Sequence, residues 1–211
     1  MRGVFISLEG AEGCGKSTQS ALLADFLREK GLEVVTTREP GGTPTGEMIR
    51  DILQHHASGE DIAPGAEVLL FAASRAQHVA HVIRPALERG AWVVCDRFVD
   101  SSLAYQGGAR GLGIDTVLAA NEIALDGVWP DVTFWLDLPL DAALGRVVAR
   151  GAHPDRFESE ETAFHQRVHD AYAALAVRFP ERIVRLNAAA APEAVFAELL
   201  EGLEPNLETE G

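Results

Sequence analysis

Short apolar runs alternate with longer amphipathic segments along most of the chain. The apolar runs that predict buried strands are Val4–Leu8, Glu33–Thr37, Trp92–Cys95, Val132–Leu136 and Ile183–Leu186. The segments that repeat apolar residues at helical spacing predict helices at Lys16–Lys30, Thr45–His56, Gly65–Arg89, Ile114–Leu125, Leu140–Arg150, Ser159–Arg178 and Pro192–Leu203. Strands that alternate with helices in this way predict an α/β fold, in which a parallel sheet is covered by helices on both faces.

No linker rich in serine and glycine divides the 211 residues, so they predict one domain over residues 1–203. Every ionisable side chain from Glu193 to Glu210 is acidic. Residues 204–211 are therefore predicted to form a solvated, frayed acidic tail.

Two segments are richer in loop-forming residues than a scaffold of this kind requires. They are Arg38–Pro44 and Arg150–Arg156. We expect both to lie at the carboxyl ends of strands or over a cleft, because ligands bind there in parallel sheets. The second segment predicts a mobile lid over residues 150–158.

The acidic composition limits the kinds of molecule that the protein is expected to bind. Lys and Arg number 18 and Asp and Glu number 32, which gives a formal charge of −14. A nucleic-acid polymer requires a basic face and is disfavoured, whereas a nucleotide requires only a local nest of N–H groups and a few cations. No apolar run is long enough to predict a membrane span. Cys14 and Cys95 do not suggest a disulfide framework, so we expect reduced thiols in a cytoplasmic protein.

The segment Gly10–Ser17 matches the phosphate-binding pattern G-x-x-x-x-G-K-[ST] at every fixed position. It follows a predicted strand and precedes a predicted helix, as this motif requires. Its glycines allow a tight turn that directs N–H groups at phosphate oxygens, and the helix start adds partial positive charge. Lys16 would reach the β- and γ-phosphates, and Ser17 would ligate Mg²⁺. The residues predicted to bind ATP are Gly10, Ala11, Glu12, Gly13, Cys14, Gly15, Lys16, Ser17 and Thr18.

The third predicted strand ends in an acid and a base, Asp96 and Arg97. An aspartate at a strand tip beside a phosphate loop can hold Mg²⁺, and an arginine next to it can bind a second phosphate. Taken alone, the two residues would fit a strand-end ion pair of little energetic value equally well. The phosphate loop upstream favours the functional interpretation.

Other residues suit an anion or a nucleoside less specifically. Arg38 comes directly after a predicted strand and just before Gly41 and Gly42, as in an anion site that the backbone approaches closely. Phe71 and Arg75 share one helix face and could bind a base, although such residues more often serve as core and surface.

The polar side chains of Ser101, Ser102, Tyr105 and Gln106 follow the predicted anion site and suit sugar or base contacts. The pair Gly107-Gly108 is predicted to break this segment.

Three arginines bracket the predicted lid. Arg146 and Arg150 lie four residues apart on one helix face, and Arg156 follows the loop. Cations on a closing lid could neutralise a transferring phosphoryl group, and a solvated basic face is the alternative interpretation.

The order of these motifs resembles the thymidylate kinase family, in the bacterial branch of the P-loop nucleoside-monophosphate kinases. The resemblance extends from Phe5 to about Val195 and is most specific in Val94–Gln106, while Thr37–Thr43 and Phe71–Arg75 also match. It implies the reaction ATP + dTMP → ADP + dTDP with Mg²⁺. It also implies a three-layer P-loop NTPase fold, with a five-stranded parallel sheet flanked by helices, and a homodimer.

The same resemblance implies roles at the substrate. Phe71 would stack on thymine, and Arg75 would bind its carbonyl edge. Tyr105 would lie where a 2′-hydroxyl would be. The residues that would complete the dTMP site are Arg38 and Arg97 at the phosphate, Ser102 and Gln106 in the nucleoside pocket, and Glu12 at the 3′-hydroxyl.

The resemblance also implies the catalytic set. Glu12 stands in the phosphate loop, where one branch of the family has an arginine. The bacterial branch instead places its helper cations in the lid, which points to Arg150 and Arg156. The residues that would act on the transferring group are Lys16, Asp96, Arg97, Arg150 and Arg156, with Ser17 and Asp96 as the metal ligands.

Two other functions fit many of the same residues. A kinase for another monophosphate, such as dUMP, dGMP or dCMP, would share the fold and mechanism, because a single methyl group is worth only about 1–3 kcal/mol in an apolar pocket. A nucleotide-dependent switch would need the phosphate loop but not a second anion site at Arg38 and Arg97. The sequence also lacks the guanine-reading pattern Asn-Lys-x-Asp.

Overall fold

The structure is a computed structural model that describes residues 2–55, 60–150 and 156–208. Within these ranges it describes every side chain except those of Val148, Arg150, Pro205, Asn206 and Glu208.

A parallel sheet of five strands forms the centre of the described chain. Its strands are β1 (Phe5–Glu9), β2 (Val34–Arg38), β3 (Trp92–Asp96), β4 (Val132–Asp137) and β5 (Ile183–Asn187), in the order β2-β3-β1-β4-β5. Leu8 pairs with Asp96 and Arg38 also pairs with Asp96, so β1, β2 and β3 end at one edge of the sheet. The loops that follow these three strands therefore lie side by side.

Helices cover both faces of the sheet. They are α1 (Lys16–Glu29), α2 (Pro44–His55), α3 (Pro64–His78), α4 (Arg84–Glu88), α5 (Val99–Ser102), α6 (Ile114–Leu125), α7 (Leu140–Arg150), α8 (Thr162–Arg178) and α9 (Pro192–Glu208). A π-helical segment at Val79–Ile83 joins α3 to α4, and another at Leu103–Ala109 continues α5. Gly31 and Gly90, with φ of 83° and 84°, follow the ends of α1 and α4.

Successive side chains of each strand point to opposite faces of the sheet, so the hydrophobic core consists of two clusters, one on each face. Phe5 packs in one apolar cluster with residues of α3, α6 and α8, whereas Ile6 packs in the other with residues of α1 and α9. The predicted three-layer α/β architecture, with a five-stranded parallel sheet, is confirmed. Each predicted strand lies within one residue of the observed one at either end.

Two predicted helix ends differ from the structure by more than one residue. Helix α8 begins at Thr162 rather than Ser159, because a turn in which Glu160 N–H donates to Phe157 O comes before it. Helix α9 continues to Glu208, and Leu207 packs against the core, so residues 204–208 are helical rather than frayed. Residues 209–211 and His56 lie outside the described residues.

The sequence predicted a break at Gly107-Gly108, and this prediction is wrong. Both glycines lie inside the π-helical segment, which ends at Ala109. A Cβ atom on Gly108 would lie 2.4 Å from Ala171 Cβ of α8. This glycine therefore allows close helix packing instead of ending the helix.

We predict that Gly108→Ala lowers the free energy of unfolding by about 1–3 kcal/mol, because the added methyl group collides with Ala171. Ala171→Gly makes room for that methyl group, so the double variant should be no less stable than Ala171→Gly alone. Urea unfolding of the wild type, the two single variants and the double variant measures the coupling free energy between the two substitutions. Gly145→Ala in α7 is the matched control, because its new Cβ meets nothing within 4 Å and should not destabilise. Additive effects of the two substitutions would contradict the proposed contact.

Candidate active site

A cleft of 520 Å³ opens where β1, β2 and β3 end. One end is formed by the phosphate loop and the other by side chains of α3 and the π-helical segment after α5. The predicted site residues that line it are Glu12, Gly13, Gly15, Lys16, Ser17, Thr18, Arg38, Phe71, Asp96, Arg97, Ser102, Tyr105 and Gln106. The fold thus brings most of the predicted residues to one place.

The phosphate loop has the backbone that its glycines predict. Gly13 and Gly15 have φ of 78° and 100°, a region that residues with a Cβ rarely adopt. Lys16 folds across the loop, where its Nζ donates to Gly10 O at 3.2 Å and to Ala11 O at 2.9 Å. The side chain of Cys14, within the loop, is buried, and its Sγ lies 3.7 Å from Lys16 Nζ. Loop and lysine are therefore assembled around a space that suits a phosphate chain.

The environment of Lys16 keeps this side chain charged. Burial and the neighbouring Arg97 lower its pKa, but Cys14 and the carboxylates of Glu12 and Asp96 raise it by more. The net effect raises the pKa of Lys16 above its ordinary value of 10.5. The lysine therefore carries a full positive charge at neutral pH.

Oxygen ligands suited to Mg²⁺ meet beside the loop. Ser17 Oγ donates to Asp96 Oδ2 at 3.0 Å, so the hydroxyl at the start of α1 touches the carboxylate at the end of β3. Among the described residues, no cluster of three or more His, Cys, Asp or Glu side chains could hold a metal ion. One hydroxyl and one carboxylate suit Mg²⁺, because this ion usually takes its other ligands from phosphates and water.

Arg97 lies between the two ends of the cleft. Its backbone has φ of 71°, in the left-handed region. Its Nη1 donates to Gly10 O at 2.9 Å and to Ser101 Oγ at 3.2 Å. Its Nη2 donates to Glu12 Oε1 at 2.5 Å, and its guanidinium lies 5.3 Å from the centre of the Tyr105 ring. One side chain therefore touches the phosphate loop, the start of α5 and the predicted sugar site.

Two more arginines line the cleft with Arg97. Arg38 is half exposed at the end of β2 and donates to Glu47 Oε2 at 2.9 Å. Arg50 of α2 also lines the cleft, where its Nη1 donates to Pro40 O at 3.0 Å. The sequence analysis missed Arg50. Its four-residue spacing from Gln54, which also lines the cleft, is a signal that could have found it.

The far end of the cleft is aromatic. Phe71 lies 5.8 Å from Phe157, and Tyr105 lies 6.0 Å from Phe157 on the other side, measured between ring centres. Phe71 is therefore at the cleft and not only in the core. The sequence analysis missed Phe157, because nothing in the local pattern predicts which part of the fold its ring packs against.

Gln106 has a buried acceptor without a partner beside this aromatic pocket. Its Nε2 donates to the buried Glu67 Oε1 at 2.7 Å, and this bond fixes the orientation of the amide because a carboxylate accepts hydrogens. Its Oε1 is buried without a hydrogen-bond partner, and Gln106 lines the cleft. Gln106 therefore has an unpaired acceptor next to the cleft but covered by its surroundings.

Arg75 is buried inside the protein, whereas the sequence analysis expected it at the base pocket or on the surface. It is fully buried, and its Nε donates to Glu39 Oε2 at 2.9 Å. Its Nη2 donates to Phe98 O at 3.1 Å and to Ser102 Oγ at 3.2 Å, while its Nη1 donates to Asn121. Ser102 lines the cleft but Arg75 does not. The guanidinium therefore supports the pocket from behind, and most of its donors already have protein partners.

The lid arginines lie in different places. Arg146 lines the cleft at the phosphate loop, where its Nη1 donates to Gly13 O at 3.4 Å. Arg156 is not among the residues that line the cleft. Its Nη2 donates to Glu67 Oε2 at 2.7 Å, and its Nε donates to Leu53 O at 2.9 Å. The side chain of Arg150 and residues 151–155 of the predicted lid lie outside the described part.

Glu9, the last residue of β1, is a buried acid that the sequence analysis missed. Phe98 N–H donates to its Oε1 at 2.7 Å, and Ser101 Oγ and Tyr172 OH donate to its Oε2 at 2.6 and 2.9 Å. Burial, and then the charge of Asp100, raise its pKa from 4.5 to about 7. An acid at the end of an apolar strand, next to Gly10, is the signal that could have revealed it.

We predict that Glu9 makes stability depend on pH. Because its folded pKa is raised to about 7, the folded protein keeps a proton there that the unfolded chain loses near 4.5. The resulting stabilisation is complete below pH 4.5 and is lost as the pH rises through 7. From about pH 5 to about pH 8, the stability of the wild type relative to Glu9→Gln should therefore fall by roughly 1–3 kcal/mol. Urea unfolding at the two pH values measures this difference, and a constant or rising difference would contradict the assignment.

Comparison with known proteins identifies one family. The family model described as thymidylate kinase matches residues 8–199. A thymidylate kinase of Rhizorhabdus wittichii is 52% identical over 204 residues, which are 96% of this chain and 98% of that protein. A thymidylate kinase of Alkalilimnicola ehrlichii is 51% identical over 202 residues, which are 96% of this chain and 93% of that protein.

A solved structure agrees with this match. The crystal structure of thymidylate kinase from Ehrlichia chaffeensis is similar with a TM-score of 0.77 and 34% sequence identity. The match covers 97% of this chain and 99% of that one. The resemblance seen in the sequence is confirmed, and the chain belongs to the thymidylate kinase family.

Proposed function

We propose that the chain transfers the γ-phosphoryl group of ATP to the phosphate of dTMP and so forms ADP and dTDP. The observation that carries the proposal is the single cleft that joins the phosphate loop to a second anion site. That second site contains Arg38, Arg50 and Arg97 and opens into the aromatic pocket. A donor triphosphate and an acceptor monophosphate can therefore meet in one space.

The chemistry requires alignment and charge neutralisation. A phosphate oxygen of dTMP attacks the γ-phosphorus, the bond from that phosphorus to the β–γ bridging oxygen breaks, and ADP leaves. The acceptor is largely a dianion at neutral pH, because the second pKa of a phosphate monoester is about 6, so no general base is needed. Lys16 binds the donor phosphates, and Arg97 holds the acceptor beside them.

Mg²⁺ belongs to this proposal as the cofactor. Ser17 and Asp96 would hold it, since their oxygens meet beside the phosphate loop. When bound, the ion neutralises charge on the donor phosphates and makes ADP a better leaving group.

The aromatic pocket suits thymine. Phe71 would provide a ring face, and the unpaired Oε1 of Gln106 would match the N3–H donor of thymine once the side chain turns this atom toward the cleft. Cytosine has no hydrogen at N3 and would leave this buried acceptor unpaired. Ser102 lines the same pocket, and Arg75 would bind the carbonyl edge through its remaining N–H group.

The sugar would lie between Glu12 and Tyr105, which both contact Arg97. Glu12 would accept from the 3′-hydroxyl, and the ring of Tyr105 would occupy the space that a 2′-hydroxyl needs. Deoxyribose would therefore be favoured over ribose.

The lid would add charge once both substrates are bound. We assign Arg150 and Arg156 to the transferring phosphoryl group, which requires Arg156 to leave Glu67 when the lid closes. Arg146 already lies at the phosphate loop and would bind the donor.

We further propose that the chain forms a homodimer through α2, α3 and α6, which pack side by side. Exposed apolar side chains lie on all three helices: Met48 and Ile52 on α2, Leu69 on α3, and Ile123 on α6. A face of this kind is typical of a protein–protein interface.

The enzyme would act in the cytoplasm, where the buried free thiols of Cys14 and Cys95 stay reduced.

We predict that ADP release from ATP and Mg²⁺ is stimulated strongly by dTMP and much less by dUMP, dGMP or dCMP. Lys16→Ala and Arg97→Ala should each lose about 100-fold or more of kcat/KM while remaining folded, because each removes a charge from the transfer site. Stimulation by another monophosphate would favour a kinase of different specificity. Slow hydrolysis that no monophosphate changes would favour a nucleotide switch and overturn the proposal.

We predict that the wild type sediments at twice the chain mass of 22.6 kDa. Leu69→Asp and Ile123→Asp place a charge on the proposed interface and should sediment as monomers. Val177→Asp on α8 is the matched control, because Val177 is 82% exposed on a different helix and its variant should remain dimeric. Dimeric Leu69→Asp and Ile123→Asp variants would contradict the assigned face.

A further inference from the structure

Arg97 requires support from its surroundings. A residue with a Cβ rarely adopts a φ of 71°, so neighbouring contacts must hold the backbone there. The amide of Arg97 donates to Leu8 O at 3.0 Å, and its carbonyl accepts from Cys95 Sγ at 3.0 Å. These bonds tie the backbone to β1 and β3, but they do not orient the guanidinium.

Glu9 fixes the residues that follow Arg97. It accepts the amide hydrogen of Phe98 with one carboxylate oxygen and the hydroxyl hydrogen of Ser101 with the other. The end of β1 is thereby joined to the first turn of α5. Arg97 lies between this carboxylate and the phosphate loop.

Tyr172 brings a third element to the same point. Its hydroxyl donates to Glu9 Oε2 at 2.9 Å and lies 3.0 Å from Ser101 Oγ. The residue belongs to α8, the helix that follows the predicted lid. It is buried and is not one of the residues that line the cleft.

The hydroxyl hydrogens of this cluster determine whether Ser101 can accept a hydrogen bond from Arg97. Ser101 and Tyr172 each have one hydroxyl hydrogen, and Glu9 can accept both when it is ionised, above its pKa of about 7. The Ser101 oxygen then has its lone pairs free for the N–H of Arg97 Nη1, which lies 3.2 Å away. An amide in place of the Glu9 carboxylate would donate to Ser101 instead and turn the serine hydrogen toward the guanidinium.

We propose that Glu9 and Tyr172 are positioning residues that hold Arg97, through Ser101 and the Phe98 amide, in the orientation that binds the acceptor phosphate. Neither residue touches the substrate in this account. The inference rests on the proposed function only in taking the Arg97 ligand to be the phosphate of dTMP.

The test compares steady-state kinetics of Tyr172→Phe and Glu9→Gln with the wild type, with dTMP and ATP varied in turn, at a pH above the Glu9 pKa of about 7. Tyr172→Phe should raise KM for dTMP about fivefold, since it removes one hydrogen bond, and Glu9→Gln should raise it about tenfold or more. KM for ATP should change less than twofold, because Lys16 and the phosphate loop are untouched. Titration calorimetry of dTMP without ATP should show matching increases in Kd.

Ser7→Ala is the matched control. Ser7 is a buried hydroxyl on the same strand as Glu9 and contacts Thr133 at 3.3 Å rather than Ser101 or Arg97. Its variant should keep the wild-type KM for dTMP. A purely structural role for Glu9 and Tyr172 predicts losses shared by both substrates or by kcat alone.

The outcomes separate this inference from the proposed function. If the wild type shows no activity with dTMP, the proposed function fails. If the wild type is active but Tyr172→Phe and Glu9→Gln keep its KM and Kd for dTMP, or raise both KM values equally, only the positioning inference is overturned. Should Glu9→Gln fold poorly, Tyr172→Phe still decides the result, because it removes a single oxygen atom.

Discussion

The position of the Arg97 guanidinium is the constraint on which the cleft depends. The same side chain contacts the Gly10 carbonyl of the phosphate loop, Glu12, Ser101 and Tyr105. It therefore sets the separation between the donor and acceptor ends of the cleft. Phosphoryl transfer needs two anions held in line, and a misplaced cation would lose alignment and charge neutralisation together.

The topology of the sheet explains why this contact forms. Strands β1 and β3 are parallel neighbours with Leu8 opposite Asp96, so the loops after them start side by side. The phosphate loop follows β1, while Asp96 ends β3 and Arg97 comes directly after it. A parallel sheet thus places the phosphate loop and Arg97, the proposed acceptor-binding residue, at one edge without further adjustment.

The sequence predicted what depends on local pattern. Strand limits were correct within one residue, and the phosphate loop, Asp96, Arg97 and Phe71 lie at the cleft as expected. Such predictions succeed because hydrophobic period and glycine spacing act over short distances.

The features that the sequence could not predict depend on tertiary contacts. Gly107-Gly108 was interpreted as a helix break because nothing local reveals the approach of Ala171. The partners of Arg75 and Arg156, Glu39 and Glu67, are far from them in the chain. Tyr172 lies 163 residues after Glu9, so no spacing could have paired them.

The central claim is that one cleft holds both substrates with their phosphates in contact. The most direct test is binding of a single molecule in which adenosine and thymidine are joined by a chain of phosphates. The account predicts that this molecule competes with both ATP and dTMP and binds at least about 100-fold more tightly than dTMP, because linked ligands gain from effective concentration. Competition with only one substrate would contradict the account.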